Sequence, residues 1–167
     1  MFVNLIGLTD PCPTVIDHIL TLNANWFLPT DETYIPTGEI TSVEGTPLDF
    51  RKPKKFAEAL SCENDPNIVI GDGLNHNFVL NQKIQGEMTY AGKLFEPITR
   101  RFMEIYTTEP GIQVYTANCH DGFKGYHEVR MPRRSSVAFE TQHFPDSPNI
   151  GHFPSVVVNP RETYTSD

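Results

Sequence analysis

Short apolar segments separated by turn-forming residues are the feature that most constrains how this chain folds. Candidate strands lie at 15–22, 76–80, 83–90, 101–107, 113–117, 136–141 and 155–158. Gly, Pro, Asp and Asn cluster between them at 36–39, 44–47, 71–73, 109–111 and 145–149, and one short helix is predicted near 54–60. Because helices do not alternate with strands, a mainly β fold is predicted, an antiparallel β-sandwich or barrel.

The segment KIQGEMTY, residues 83–90, shows the clearest alternation. Its apolar residues Ile84, Met88 and Tyr90 would share one face with Gly86, while charged and polar residues take the other. This pattern predicts a half-buried strand.

Glu140 lies near the end of another candidate strand, where side chains alternate between two faces. It would share a face with Ala138 and Gln142, opposite Val137 and Phe139. Glutamate is seldom buried without a partner. Taken alone, the segment is therefore best explained by a solvated carboxylate at position 140.

Size and charge limit the classes of function. With 167 residues and 38% hydrophobic content, residues 1–167 are expected to form a single domain. A formal net charge of -8 opposes binding to nucleic acid or anionic membranes. The basic residues of 51–55 are interpreted as a solvated helix start, and no apolar run approaches membrane-spanning length.

The cysteines predict a reducing environment. Cys12, Cys62 and Cys119 are far apart and form no CxxC pair, which is typical of free thiols. The first residues lack the basic segment of a signal peptide, and no Asn-x-Ser/Thr acceptor occurs. These features predict a cytoplasmic protein.

The histidines form no recognisable metal-binding pattern. His120, His127, His143 and His152 have spacings that fit no common ligand motif, so no metal is predicted. Hydrolase elbows, Walker loops and dinucleotide glycine patterns are also absent from the sequence, so a hydrolase, a nucleotide-binding protein or a nicotinamide-dependent enzyme is not predicted.

Four separated blocks carry a family resemblance. They are VIDHILTLNANWFLPTDETYIPTGEITSVEGTPLDFRKP, GLNHNFVL, MEIYTTEPGIQVYTANC, and FETQHFPDSPN followed by FPS. In this order they resemble the C-terminal half of the galactose mutarotases, the aldose 1-epimerases. The resemblance implies part of the mutarotase-like β supersandwich, with residues 1–167 as the C-terminal half of a mutarotase domain. It also implies an isomerase that interconverts the α and β anomers of monosaccharides such as D-galactose and D-glucose, without metal or cofactor.

The resemblance assigns roles to three residues. Glu140, in ETQHFPD, matches the family's general base, and Gln113 matches a glutamine that contacts the sugar. Asn75 stands where the family has an aspartate that binds a sugar hydroxyl, and it keeps only the carbonyl oxygen as an acceptor. A cross-strand hydrogen bond is the alternative explanation for Gln113. His76 is interpreted as a structural neighbour.

Other positions depart from the family pattern. Ala117 replaces a glycine, and its methyl group is expected to narrow the cleft. The histidine that serves as general acid would fall one place before Met1, outside this chain. Three readings therefore stay open: a mutarotase-like enzyme of doubtful activity, a non-catalytic carbohydrate-binding or regulatory protein, and an incomplete copy that requires its other half. Self-association or binding to a complementary N-terminal half is expected.

Overall fold

The computed structural model describes residues 1–7, 13–125 and 128–167 as two packed antiparallel sheets and a small ribbon. In chain order the strands are β1 (Phe2–Val3), β2 (Ile19–Leu22), β3 (Ala24–Leu28), β4 (Thr41–Ser42), β5 (Lys54–Lys55), β6 (Asn75–Leu80), β7 (Thr89–Phe95), β8 (Phe102–Thr107), β9 (Gly111–Tyr115), β10 (Phe123–Lys124), β11 (Arg130–Met131) and β12 (Val137–Gln142). Two short helices, α1 (Phe56–Leu60) and α2 (Pro66–Ile70), lie between β5 and β6. The prediction of a mainly antiparallel β fold is confirmed.

The larger sheet has the strand order β1-β12-β9-β6-β3-β4, and the smaller one has the order β5-β2-β7-β8. One buried cluster joins them: Leu20 and Leu94 come from the smaller sheet, and Phe27, Phe78 and Ile112 from the larger. Burial of these side chains supplies the main stabilising free energy, at about 25 cal/mol per Å² of apolar surface. The main core therefore lies between the sheets, and a smaller buried cluster of Leu28, Phe144 and Phe153 covers part of the outer face of the larger sheet.

The strands that carry the sequence blocks form close to where they were predicted. β6, β8, β9 and β12 overlap the candidates at 76–80, 101–107, 113–117 and 136–141, and β2 takes up the second half of 15–22. The helix predicted near 54–60 is shorter, because Lys54 and Lys55 form β5 before α1 begins. No strand forms at 155–158.

The strand predicted over 83–90 is wrong for most of its length. β7 begins only at Thr89, and Ile84 and Met88 are exposed, at 59% and 55%. Gly86 adopts a φ of 81°, a left-handed conformation that a continuous strand does not contain. The alternating pattern therefore belongs to a turn-containing segment, and β3 and α2 were not predicted at all.

The segment after residue 154 is held by the end of the β8–β9 hairpin. The hydroxyl of Thr107 donates a 2.8 Å hydrogen bond to the carbonyl oxygen of Asp167. Buried Glu109 accepts hydrogen bonds from His143 Nδ1, at 2.7 Å, and from the Tyr164 hydroxyl. Burial raises the pKa of Glu109, but hydrogen bonds from Ser166, Tyr164 and His143 outweigh it and lower the pKa overall.

Among the described helices, none is long and apolar enough to cross a membrane.

His76 lies on the core face of β6 and is 1% exposed. Its ring packs edge-on against Phe27, and its Nδ1 accepts a 3.2 Å hydrogen bond from the backbone amide of Asn75. Burial lowers the pKa of His76 to about 4, although the charge of Asp65 acts in the opposite direction. His76 is therefore neutral in the folded chain and lies beneath the outer face, in agreement with its interpretation as a structural neighbour.

We expect His76 to make stability depend on pH between about 6.5 and 4. In this range the unfolded chain takes up a proton that the folded chain does not, so stability is full above pH 6.5 and falls as pH falls. At 1.36 kcal/mol per pKa unit, the loss is about 3 kcal/mol. Urea unfolding at pH 7 and pH 4 should show a smaller loss for His76→Phe.

His152→Phe is the matched control, because His152 is exposed. It should keep the pH dependence of the unchanged chain. Equal pH dependence in all three proteins would show that His76 is protonated without penalty.

Candidate functional site

Three adjacent strands bring the predicted site residues to the outer face of the larger sheet. In the antiparallel register, Glu140 of β12 is paired with Gln113 of β9, and Gln113 is paired with Asn77 of β6. Asn75 lies two residues from Asn77 on the same face of β6, opposite Tyr115. All three residues from the resemblance, together with Asn77 and Tyr115, therefore share one surface.

This surface is the floor of a cleft of about 390 Å³. Its walls include Tyr34 and Pro36 from the segment after β3, and Pro145 from the segment after β12. Asp72 and Cys119 lie at the rim near the start of β6 and the end of β9. The volume is within the range of small-molecule sites.

A hydrogen bond within the floor fixes two of the predicted ligand residues. Gln113 Nε2 donates to Asn75 Oδ1 over 2.8 Å. The cross-strand hydrogen bond that is the alternative explanation for Gln113 is therefore present. It uses Asn75 Oδ1, the side-chain oxygen that corresponds to a carboxylate oxygen of the family's aspartate. Asn75 Nδ2 and Gln113 Oε1 remain available to a ligand as one donor and one acceptor.

Glu140 points its carboxylate into the cleft and is exposed. No described residue donates a hydrogen bond to this carboxylate. Its neighbours on the same face are Ala138, which is buried, and Gln142, which also lines the cleft. Val137 and Phe139 are buried on the core side, as predicted for β12, but Ala138 is buried as well and Thr141 is exposed, so burial does not alternate along the whole strand.

The turn before β6 is held by buried Asn118. Asn118 Nδ2 donates to the carbonyl oxygens of Gly71 and Leu74, at 2.9 and 3.0 Å, while its Oδ1 accepts from the Thr116 hydroxyl at 2.7 Å. Gly73 has a φ of 130°, and a Cβ added there would lie 2.6 Å from Asn118 Oδ1. This close approach fixes where Asn75 enters the cleft, and Asn118 was not singled out from the sequence.

The expectation that Ala117 narrows the cleft is not supported, because its side chain is fully buried and is not among the cleft-lining groups. The residue instead has a φ of 49°, in the left-handed region that favours glycine. The effect of alanine at this position is therefore strain in the backbone.

The charges at the cleft are acidic. Among the described residues, its charged lining groups are Asp72 and Glu140. Arg133 donates to the carboxylate of Asp72 and, at 2.8 Å, to its backbone oxygen. With no cation lining the described cleft, a neutral ligand fits it better than an anion.

The histidines do not gather at the cleft. His120 Nδ1 lies 2.9 Å from the Ser135 hydroxyl, His143 binds Glu109, and His152 Nε2 lies 2.8 Å from the carbonyl oxygen of Gly38. His127 falls outside the described residues, as does Cys12. Within the described ranges, no three His, Cys, Asp or Glu side chains meet in a way that could hold a metal ion.

The fold and the cleft define an antiparallel β-sandwich protein with a polar cleft of small-molecule size on one sheet. Residues 8–167 match the family model described as aldose 1-epimerase. The chain is 41% identical to galactose mutarotase of Bos taurus over 98% of its own length and 45% of the relative's. It is 31% identical to aldose 1-epimerase of Escherichia coli over 91% of its own length and 44% of the relative's.

A solved structure, the GalM/aldose epimerase homologue from C. elegans, superposes with a TM-score of 0.81 at 27% identity. The match covers 94% of this chain and 46% of that one. The chain therefore belongs to the aldose 1-epimerase family, and it spans a little under half the length of the curated relatives it matches.

We expect Ala117→Gly to stabilise the fold. A left-handed alanine costs roughly 1–2 kcal/mol, and glycine adds about 0.5–1 kcal/mol of unfolded-state entropy, so a net gain of about 0.5–1 kcal/mol should remain. Urea denaturation measures it. Ala138→Gly, at a buried position within β12, is the matched control and should destabilise the chain by about 1 kcal/mol. A loss of stability in both variants would contradict strain at Ala117.

Proposed function

We propose that this chain carries the general base and part of the sugar-binding cleft for interconversion of the α and β anomers of aldoses such as D-galactose and D-glucose. The convergence of Glu140, Gln113 and Asn75 on one cleft floor is the observation that carries the proposal. Membership of the aldose 1-epimerase family supports it.

Ring opening requires a base at the C1 hydroxyl and an acid at the ring oxygen. Glu140 takes the proton from the C1 hydroxyl while the ring oxygen gains a proton and its bond to C1 breaks. The resulting aldehyde rotates about the C1–C2 bond, and the reverse steps close the ring on the other face. The exposed carboxylate at the cleft floor is suited to the first proton transfer.

Asn75 and Gln113 would orient the sugar. Their mutual hydrogen bond leaves Asn75 Nδ2 to donate to one hydroxyl and Gln113 Oε1 to accept from another. A bond between neutral groups is weaker than one to the carboxylate that the family has at position 75. Binding of the ring through this pair is therefore expected to be weak.

The acid is the incomplete part of this mechanism. No histidine lines the cleft among the described residues. Tyr115 lines it, but burial raises the pKa of its hydroxyl, so this group donates a hydrogen bond more readily than a proton. Water or a group outside the described cleft must then protonate the ring oxygen. The lack of a proton donor among the described cleft-lining residues favours a second candidate function, a non-catalytic carbohydrate-binding or regulatory role.

We expect this chain alone to accelerate mutarotation of freshly dissolved α-D-galactose weakly, because loss of general acid catalysis removes a factor of about 10²–10⁴, or about 3–5 kcal/mol. Glu140→Gln should bring the rate down to the uncatalysed value, as measured by polarimetry. Glu63→Gln, at an exposed glutamate between α1 and α2 that does not line the cleft, is the control and should retain the activity.

A rate equal to that of a full-length relative would contradict the missing-acid explanation. Equal acceleration by Glu140→Gln and the unchanged chain would show that Glu140 is a solvated carboxylate. Sugar binding without any acceleration would support the carbohydrate-binding role.

A complementary segment is part of the proposal. β8 pairs with β7 on one side and lies at the end of the described four-stranded sheet, so its other edge offers free backbone groups. Phe102 and Tyr106 on this strand are 59% and 54% exposed. Such an edge is suited to a second copy or to a segment equivalent to the N-terminal half of the relatives.

The exposed thiols of Cys62 and Cys119 suit the proposed cytoplasmic location.

We expect light scattering to detect self-association of the purified chain. The N-terminal half of the bovine mutarotase, added in excess, should bind it and raise its thermal transition, because covering apolar surface contributes about 25 cal/mol per Å². A stable monomer whose transition is unaffected by the fragment would contradict this expectation.

A further inference from the structure

A second cavity lies at the β1 edge of the larger sheet, away from the cleft. It has a volume of about 370 Å³ and shares no lining residue with the cleft. This cavity, the edge pocket, is lined by Phe2, Pro13, His120, Phe123, Met131 and Ser136, among others. Ser136 precedes Glu140 by four residues, so about 13 Å of extended chain separates the edge pocket from Glu140.

Aromatic and sulfur-containing side chains form the walls of the edge pocket. The ring centroid of His120 lies 5.4 Å from that of Phe2 and 5.0 Å from that of Phe123. Phe123 is paired with Met131 across the β10–β11 ribbon, so the two side chains share one face of the ribbon. Phe2 and Phe123 are 54% and 50% exposed although they are large and apolar. Such walls suit a further aromatic ring.

The floor of the edge pocket carries a polar group without a partner. Ser136 is 3% exposed, and its hydroxyl has no hydrogen-bond partner among the described residues. Its polar neighbours are bonded, since Ser135 Oγ lies 2.9 Å from His120 Nδ1 and Asn4 Nδ2 donates to the Ser135 carbonyl oxygen at 2.7 Å. Buried hydroxyl groups are normally hydrogen-bonded, so Ser136 indicates a polar ligand atom within the pocket.

The lining of the edge pocket selects against charged ligands and against sugars. Within the described part of the chain, no Asp, Glu, Lys or Arg side chain lines it. A charged ligand would lose its hydration here without a compensating partner, and a sugar would leave most of its hydroxyl groups unbonded. A neutral aromatic ring with a single hydroxyl group matches both the walls and the floor.

We propose that the edge pocket binds a small neutral phenol. The phenol ring packs against Phe2, Phe123 and Met131, and its hydroxyl group bonds to Ser136 Oγ. The strand register supports this geometry. Phe2 is opposite Ala138 and Ser136 lies two residues from Ala138, so the Phe2 ring and the Ser136 hydroxyl face the same side of the sheet. The site is separate from the cleft and does not depend on the proposed function.

Phenol and toluene test the edge pocket, because a hydroxyl group in one replaces a methyl group in the other. Amide chemical shifts of the isotope-labelled chain, titrated with each compound, should move at Phe123 and Ser136 and stay unchanged at Asn75 and Glu140. Ser136→Ala should raise the dissociation constant of phenol about fivefold and leave that of toluene unchanged. Phe123→Ala should weaken the binding of both compounds.

Phe102→Ala is the matched control for Phe123→Ala. Phe102 is 59% exposed and lies on β8 outside the edge pocket, so this variant should bind both compounds as the unchanged chain does. Ser136→Ala removes a buried hydroxyl that has no described partner, so its melting temperature should stay the same or rise.

The proposal is overturned if phenol shifts no resonance, or if its shifts are confined to the cleft. An unchanged affinity for phenol in Ser136→Ala would also overturn it. A lower melting temperature in this variant would do the same, because the hydroxyl would then already be bonded within the fold. None of these results affects the proposed sugar binding at Glu140, which a titration with D-glucose tests separately.

Discussion

The antiparallel register of β6, β9 and β12 is the constraint on which both the core and the cleft depend. Alternate residues of these strands face opposite sides, so Phe78, Ile112 and Phe139 fill the core while their neighbours line the cleft. A slip of one residue in β9 would put Gln113 into the core and Ile112 into the cleft. Burial of apolar side chains therefore positions the polar ones.

Amide side chains rather than charged ones make up most of the cleft floor. Their chemistry limits which reaction steps the floor can catalyse. Carboxamides donate and accept at once, which suits hydroxyl groups, but they act as neither general acid nor general base near neutral pH. Gly111 shows how tightly this floor is packed, since a Cβ there would lie 2.6 Å from Asn77 Oδ1. Of the paired residues Glu140, Gln113 and Asn77 on β12, β9 and β6, Glu140 alone can act as a base.

The fold class was predictable because turn-forming residues separate short apolar segments. The convergence of Glu140, Gln113 and Asn75 was predictable because each lies in a segment that resembles the family. The strand at 83–90 was wrong because alternation alone does not reveal a left-handed Gly86. α2 was missed although Asp65 and Pro66 are a helix-start signal, with Asp65 Oδ1 accepting from two amides of the first turn. The Gln113–Asn75 bond depends on cross-strand register, which the sequence does not specify.

Cys119 places a free thiol at the cleft, where it can be modified covalently. Its thiol is exposed and lines the rim, whereas the thiol of Cys62 is exposed on the surface away from the cleft. A bulky adduct on Cys119, such as the mixed disulfide formed when its thiolate attacks a small-molecule disulfide and displaces the other thiolate, would occupy space that a ligand needs, while the same adduct on Cys62 would not. The redox history of a sample will therefore affect how the cleft behaves, and a probe attached at Cys119 would report directly on its occupancy.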